Sequence, residues 1–257
     1  MRTLAVIPAR VGATRLPRKP LRLLGGVPLV VRVWERLTAL GVADTVVVAT
    51  DSHDVVDAVS RVGALCVMTR DDHPSGTDRV AEVAARAEHT GYDVIINVQG
   101  DEPFVSGDAV RGAAEMVSSG RFPLGTAAVP IDAFASAWTL ASPNIVKVVH
   151  ADDGRAMYFS RAPIPFLREP ADAAQYAGIA RQHIGVYAYT RDALARWVAL
   201  PTHPLERVER LEQLRPLAAG MPMGVAVIGE QPGIGIDTED DLERANARWP
   251  DFIAGRT

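Results

Sequence analysis

The sequence predicts an α/β fold with a mostly parallel sheet, on three observations. Short strand patterns alternate with helix patterns over the first half of the chain, as they do in βαβ units. The central residues of the segment Asp93–Asp101 are mostly apolar and do not alternate with polar residues, which is typical of a strand buried on both faces. The alternation stops near residue 124, and successive strand patterns then indicate a smaller antiparallel insertion. We therefore expect a single domain over residues 1–257, with an antiparallel insertion or dimerisation region at about 124–189.

The predicted elements of the first half follow in chain order. The strands are residues 4–7, 45–51, 64–69 and 93–101, and the helices between them are residues 29–40, about 53–62 and 77–88. Gly41 and Gly63 end the first two helices, because glycine adopts the left-handed conformation of a helix C-terminus without a steric cost. Ser52 or Asp54 is expected to cap the second helix.

The second half is predicted to be richer in strands. These are residues 124–131, 145–149, 156–160, 183–189 and 223–228, with Asp152–Gly154 as a hairpin turn. The polar segment Phe166–Arg181 predicts a mobile loop. Helices are expected over residues 191–200 and 204–217, and Asp237-Thr238-Glu239-Asp240 is expected to open a terminal helix.

Composition and charge exclude several classes of protein. The net charge of -4 gives no overall attraction to nucleic acid or to an anionic membrane. Cys66 is the only cysteine, so an intramolecular disulfide and a cysteine-based zinc cluster are excluded. No apolar run reaches membrane-spanning length, and Met1 leads directly into a strand pattern. We therefore expect a cytoplasmic protein that binds neither nucleic acid nor a membrane.

A cationic loop follows the first predicted strand. Four cations lie within ten residues of one another among three prolines, and they are Arg10, Arg15, Arg18 and Lys19. Ligands of α/β sheets bind beyond the carboxyl ends of the strands, and arginine and lysine are suited to phosphate oxygens. The loop therefore predicts a site for a polyanion, the alternative being a basic loop that only faces solvent.

Carboxylates at the ends of elements predict a metal site. Asp101 ends the most buried predicted strand, and Asp237 follows a glycine-rich turn. Two aspartates suit Mg²⁺, which takes oxygen ligands and usually keeps waters and substrate phosphates as well. The alternatives are a turn residue for Asp101 and a helix cap for Asp237.

The segment Ser75–Arg79 stands between a strand and a helix, where backbone N–H groups can hold a phosphate or a base edge, although Ser75 or Thr77 could merely cap the helix. Neither G-x-G-x-x-G after the first strand nor G-x-x-x-x-G-K-[ST] is present, which argues against a dehydrogenase and a P-loop NTPase.

A second group of polar residues lies in the second half. Arg161 ends one predicted strand and His183 begins another. Glu206, Glu209 and Glu212 recur every three residues, which would place neighbouring pairs on one flank of a helix. A solvated acidic stripe and a hydrogen-bonded core histidine are the alternatives.

Together these motifs resemble the CMP-Kdo synthetase family of CMP-sugar-acid synthetases. The resemblance runs in order through Ile7–Leu21, Ala49–Asp51, Met68–Arg70, Ser75–Arg79, Asn97–Pro103, Val146–Val149, Tyr158–Pro165, His183–Gly185, Leu211–Arg215 and Gly235–Thr238. It implies a Rossmann-like, three-layer nucleotide-diphospho-sugar transferase fold and a homodimer. It also implies a Mg²⁺-dependent cytidylyltransferase that moves CMP from CTP to an acidic acceptor, most simply 3-deoxy-manno-octulosonate (Kdo).

The resemblance also implies roles for individual residues. Arg10, Lys19 and Asp101 would be catalytic, and Asp101 and Asp237 would bind Mg²⁺. The nucleotide would be bound by Arg10, Arg15, Lys19, Ser75, Gly76, Thr77 and Arg79. The acceptor would be bound by Gln99, Arg161, His183, Glu209, Glu212 and Gln213.

Two departures from the family pattern leave the acceptor open. Arg18 replaces a usual glycine, and Val11 replaces a residue that is often aromatic. Lys19 and Lys147 are the only lysines, a coding bias that actinobacteria would share, and there the acceptor could be a small phosphonate such as phosphonoformate. The same motifs are also compatible with a non-catalytic nucleotide-binding regulator and with a sugar-phosphate uridylyltransferase.

Overall fold

The computed structural model describes residues 1–12, 15–131, 140–229 and 235–255. In chain order the strands are β1 (Thr3–Ala9), β2 (Leu23–Leu24), β3 (Val27–Pro28), β4 (Thr45–Thr50), β5 (Leu65–Met68), β6 (Val94–Asn97), β7 (Leu124–Pro130), β8 (Lys147–His150), β9 (Ala156–Ser160), β10 (Arg181–Thr190) and β11 (Met223–Val227). The helices are α1 (Leu29–Leu40), α2 (His53–Ser60), α3 (Gly76–Ala85), α4 (Gly107–Ser118), α5 (Ala173–Ile179), α6 (Arg191–Ala199), α7 (Pro204–Glu209), α8 (Leu214–Ala218) and α9 (Glu239–Ile253).

The chain forms two compact units. The first consists of Met1–Gly107 and Gly233–Thr257, and the second of Asp108–Pro232. In the first unit β1 pairs in parallel with β4 and β6, and β4 pairs in parallel with β5. The side chains of Leu4–Ile7 are inaccessible to solvent, as are those of Ile95 and Ile96. This confirms the parallel α/β prediction and places the loops after β1, β4 and β6 at one edge of the sheet.

An apolar cluster holds together the two sequence segments of the first unit. Leu16, Leu24 and Leu29 pack with residues of the C-terminal segment, namely Ile236, Leu242, Ala245 and Trp249. The Arg32 guanidinium lies over the Trp249 ring, 4.7 Å from its centroid. Burial of the cluster therefore fixes both the cationic loop, through Leu16, and the backbone beside Asp237, through Ile236.

The second unit contains mixed strand pairing. Strand β11 runs parallel to β7, whereas β7 with β10, β10 with β8, and β8 with β9 are antiparallel. The predicted turn at Asp152–Gly154 joins β8 to β9, and Gly154 has a φ of 85°. The antiparallel pairs lie within the predicted 124–189 region. A role for that region in dimerisation and its status as an insertion in one domain stay predictions.

The structure differs from the predicted elements in three regions, apart from the short strands β2 and β3, which the sequence does not predict. The sequence does not predict helix α4, because Gly107 and Gly112 weaken its helical pattern. The segment predicted as a mobile loop contains α5, since Tyr176 and Ala180 are buried against Ile131, and its last residue already belongs to β10. The single helix predicted at 204–217 is two, α7 and α8. In the described part of the chain, no helix is long and apolar enough to cross a membrane.

Candidate active site

The cationic loop is anchored by two buried residues, Leu16 and Pro20. Arg10 and Arg15 are exposed, whereas Lys19, in a short 3₁₀ helix over Lys19–Leu21, is half-buried. Thr14 and Ala13, which belong to the predicted motif, lie outside the described residues. The anchors therefore fix the backbone of the loop while its cationic side chains stay accessible to a ligand.

Lys19 joins the two predicted metal ligands. Its Nζ donates to Oδ2 of Asp101 at 2.7 Å and to Oδ1 of Asp237 at 2.7 Å. Arg15 approaches the other oxygen of Asp237, with its Nη2 3.0 Å from Oδ2. Burial alone would lower the pKa of Lys19, but the two aspartates raise it above its ordinary value. The ammonium is therefore held in its charged form between two carboxylates.

Backbone contacts explain how residues so far apart in sequence meet. Asp101 follows β6, and its carbonyl oxygen accepts a hydrogen bond from the N–H of Ile236 at 3.0 Å. Thr238, rather than Asp237, caps α9, in a capping box with Asp241. The carboxylate of Asp237 consequently pairs with Lys19 and Arg15 and is not used as a cap, so the helix-cap alternative for Asp237 is wrong.

Glu102 is a third carboxyl group in this region, and the sequence motifs assign it no role. Burial, followed by the nearby charges of Asp101 and Asp237, raises its pKa to about 8, although Lys19 acts in the opposite direction. Glu102 lies close to Gly235, since a Cβ at Gly235 would be 2.9 Å from Oε1 of Glu102 and would displace that carboxyl group. The sequence could have identified Glu102 as a site residue, because it directly follows Asp101 in the Asn97–Pro103 motif.

The carboxylates of this region form a suitable donor set for a divalent cation. Among the described residues, no cluster of three or more histidine, cysteine, aspartate or glutamate side chains is placed to bind a metal. Asp101 and Asp237 nevertheless direct two oxygens at one ammonium ion, so their carboxylates converge on a cation. Mg²⁺ commonly binds to one or two carboxylates and completes its octahedron with water and substrate phosphate. The donor set therefore fits Mg²⁺ bound together with a phosphorylated ligand.

Arg18 keeps the backbone conformation that a glycine would favour. Its φ of 54° and ψ of 33° are in the left-handed region, which glycine adopts without a steric cost. Its guanidinium pairs with Asp54 of α2, with Nη2 2.6 Å from Oδ2. The charge of Arg18 is thus balanced by Asp54.

The predicted nucleotide loop starts α3. Ser75 caps the helix, since its Oγ accepts a hydrogen bond from the N–H of Asp78, and the side chain of Thr77 is buried. Arg79 is 2% exposed, and its guanidinium donates to Thr69, to the carbonyl of Arg70 and to Asp51. These donors are used within the protein, so Arg79 supports the loop in this structure, and its contact with a nucleotide stays a prediction.

Gln99 lies beside this loop, because a Cβ at Gly76 would lie 3.2 Å from its Oε1. A Cβ at Gly100 would meet the carbonyl oxygen of Pro8 at 2.8 Å, so glycine is required where β1 and the segment after β6 approach. The structure therefore brings the predicted residues of the first unit to the edge of the sheet where β1 and β6 end.

In the second unit, Glu209 and Arg161 form one network. Glu209 accepts from Ser160 Oγ at 2.7 Å and from the N–H of Arg161 at 2.9 Å. The Arg161 guanidinium donates to the carbonyls of Glu209, Pro143 and Arg210. Lys147, which is fully buried, donates to the carbonyls of Ser142, Ile145 and Arg161, so its ammonium supports this network. Burial lowers the pKa of Lys147.

The glutamates predicted on one helical flank separate in the structure. Arg210 has a φ of 54°, which ends α7 and turns the chain. Glu206 is buried in an ion pair with Arg215, whereas Glu209 faces Ser160 and Arg161. Glu212 and the buried Gln213 lie between the two helices. The prediction of one continuous flank is therefore wrong, because the chain turns at Arg210.

His183 lies in β10 between two aromatic rings. The centroid of the Phe159 ring is 5.0 Å away and that of the Tyr187 ring 5.5 Å away. Its Nε2 lies 2.9 Å from the hydroxyl of Thr126 in β7. Burial lowers the pKa of His183 to about 3, so the imidazole is neutral near pH 7. Thr126 is not among the predicted site residues, and no sequence motif distinguishes it.

Comparisons with known proteins give one consistent result. Residues 4–223 match the sequence profile of a family described as cytidylyltransferase. The chain is 64% identical over 249 residues to a 3-deoxy-manno-octulosonate cytidylyltransferase of Gemmatimonas aurantiaca, covering 97% of this chain and 95% of that protein. It is 46% identical over 245 residues to the protein of the same name from Herminiimonas arsenicoxydans, covering 93% and 95%. A solved structure of CMP:2-keto-3-deoxy-manno-octonic acid synthetase complexed with CTP is similar, with a TM-score of 0.88 and 37% identity over 98% of this chain and 100% of that one.

Proposed function

This chain belongs to the cytidylyltransferase family, and on that premise we propose that it transfers CMP from CTP to Kdo with release of pyrophosphate. The observation that carries the proposal is the convergence of Lys19, Asp101 and Asp237 at the cationic loop. A transferase of this kind needs positive charge for a triphosphate and carboxylates for its metal. The 64% identity to a Kdo enzyme supports Kdo as the acceptor over a phosphonate.

In the proposed reaction an oxygen of the acceptor attacks the α-phosphorus of CTP. The new phosphorus–oxygen bond forms as the bond to the β-phosphate oxygen breaks, and the hydroxyl proton passes to solvent. Lys19, which burial and two aspartates hold at a fixed place, neutralises charge that develops around the α-phosphate. Arg10 and Arg15 hold the leaving pyrophosphate through their forked donors.

Asp101 and Asp237 are proposed to hold Mg²⁺, which when bound would neutralise phosphate charge and lower the pKa of a coordinated hydroxyl. Within the protein, Thr238 and Asp241 keep Asp237 out of the helix cap, and the Ile236–Asp101 backbone hydrogen bond sets the separation of the two carboxylates.

We also propose a cytoplasmic homodimer.

The proposed roles of the nucleotide and acceptor residues rest on what each side chain offers. Ser75, Gly76 and Thr77 lie at the N-terminus of α3, where backbone N–H groups favour an anion or a base edge. Gln99, beside Gly76, offers an amide to the acceptor. Arg161 and His183 supply a cation and a neutral ring, and Glu209, Glu212 and Gln213 supply hydrogen-bond acceptors for hydroxyls.

The test is a pyrophosphate-release assay with CTP, Mg²⁺ and Kdo. Asp101→Asn and Asp237→Asn should each lower kcat/KM by about a hundredfold or more, because each removes a charged metal ligand. Asp240→Asn is the matched control, since Asp240 is exposed in the first turn of α9 and should retain full turnover. Near-normal turnover in either site variant would contradict the metal assignment.

Each competing function gives a different result in the same assay. A nucleotide-binding regulator would release no pyrophosphate with any acceptor, and a uridylyltransferase would use UTP faster than CTP. A phosphonate enzyme would use phosphonoformate faster than Kdo. Turnover of CTP with Kdo above all of these is the expected result.

A further inference from the structure

We propose that Thr126 is a positioning residue that fixes the tautomer of His183 and so selects an acceptor that carries hydroxyl groups. This inference rests on the proposed function, because that function places His183 beside the acceptor. Its starting point is an irregularity in the pairing of β7 with β10. Ile184 lies opposite Ala127, but Thr126 lies opposite Tyr187, so Gly185 and Val186 are additional residues in β10.

Such a bulge leaves backbone groups of the longer strand without their usual partners across the sheet. Thr126 is fully buried at this point. Its hydroxyl oxygen lies 2.8 Å from the carbonyl oxygen of Val186 and 3.2 Å from that of Ile184. Because a carbonyl can only accept, the single hydroxyl hydrogen of Thr126 is donated to these carbonyls, and chiefly to the nearer one.

This donation determines which ring nitrogen of His183 carries the proton. The hydroxyl of Thr126 has no second hydrogen, so it accepts from Nε2 of His183 across 2.9 Å. A neutral imidazole carries one N–H, and with that N–H on Nε2 the lone pair is on Nδ1. Among the described residues, Nδ1 has no hydrogen-bond partner. The rings of Phe159 and Tyr187 keep the imidazole from turning over.

Nδ1 of His183 is therefore an acceptor only. It can accept a hydrogen bond from a hydroxyl group but not from a carboxylate or a phosphonate oxygen, which would be repelled by the lone pair. Kdo carries several hydroxyl groups, whereas ionised phosphonoformate carries none. The tautomer that Thr126 sets thus favours a polyhydroxylated acid over a small phosphonate.

The first experiment is nitrogen-15 NMR of the imidazole rings in the full-length protein, with the His183 signals identified by their loss in His183→Asn. We expect Nε2 to carry the proton in the wild-type protein and in Thr126→Ser. In Thr126→Val, where no hydroxyl can accept, the two tautomers should mix. A wild-type protein with the proton on Nδ1 would overturn the proposal, and this spectrum decides the tautomer even where Thr126→Val fails to fold.

The second experiment compares steady-state constants. Loss of one hydrogen bond to the acceptor should raise the KM for Kdo about three- to tenfold in Thr126→Val, with kcat and the KM for CTP unchanged, and Thr126→Ser should restore it. Inhibition by phosphonoformate should strengthen in the Val variant. An unchanged KM for Kdo despite mixed tautomers would overturn the selective role. A wild-type protein that is inactive with Kdo would instead contradict the proposed function. The tautomer measured by NMR does not depend on that function, so the two failures can be distinguished.

Discussion

The buried ion pair between α7 and α8 offers a prediction whose size follows from its geometry. Glu206 and Arg215 face each other through two contacts, Nε to Oε2 at 2.8 Å and Nη2 to Oε1 at 2.5 Å. Their side chains are 10% and 9% exposed, so water screens the pair very little. Glu206→Gln keeps the shape of the side chain but removes its charge, while the guanidinium remains buried.

Removal of one partner of a buried pair costs about 3–5 kcal/mol, and we expect about 3 kcal/mol here, because the glutamine still offers one acceptor. The total free energy of unfolding of a protein is about 5–15 kcal/mol, so this loss is a large part of it. With a urea m-value of about 3 kcal/mol/M, the unfolding midpoint of Glu206→Gln should fall by about 1 M.

The matched control is Glu169→Gln. Glu169 forms an ion pair with Arg168 in the same unit, but the two side chains are 66% and 88% exposed, so its loss should cost less than about 1 kcal/mol. The double variant Glu206→Met with Arg215→Met should be far more stable than the sum of its single variants, since a pair of apolar side chains replaces both charges. Equal losses in Glu206→Gln and Glu169→Gln, or additive single variants, would refute the assignment of a buried, mutually dependent pair.

Two further predictions concern the first unit. Arg18→Gly should leave the preference between Kdo and small phosphonates within about twofold of wild type, because its guanidinium is paired with exposed Asp54; a larger shift would make Arg18 an acceptor-selecting residue. Burial raises the pKa of Cys66 to about 11 from an ordinary 9.0. At pH 8, alkylation should therefore be about a hundredfold slower than that of a small thiol, with about a tenfold gain per pH unit up to pH 10. A rate at pH 8 equal to that of free cysteine would contradict the raised pKa of Cys66.

The sequence predicts most strongly the features that depend on local patterns. Strands β1, β4 and β7 and helix α1 have nearly the predicted bounds, because β-branched runs, apolar periodicity and Gly41 act within one element. The cationic loop and the two aspartates are likewise recognisable as residues of one site. The prediction of a loop after Phe166 is wrong, because burial of Tyr176 depends on Ile131, which is distant in sequence.

Contacts between distant segments are beyond prediction from local patterns. Nothing in the local sequence indicates that Lys19 lies between Asp101 and Asp237, since 82 and 218 residues separate it from them. The turn at Arg210 is unpredictable for a related reason. A left-handed arginine is unfavourable by itself, and here the contacts of neighbouring Glu206 and Glu209 with other elements stabilise the turn.

The return of the C-terminal segment to the first unit has a consequence for synthesis of the protein. Lys19 and Asp101 leave the ribosome long before Asp237 and the Trp249 side chain that covers Leu24. Chains that end prematurely thus contain the cationic loop without its second carboxylate and without the apolar lid of α9. Such fragments lack the apolar partners of Leu16 and Leu24, so these two side chains lose the cover that the C-terminal segment gives them.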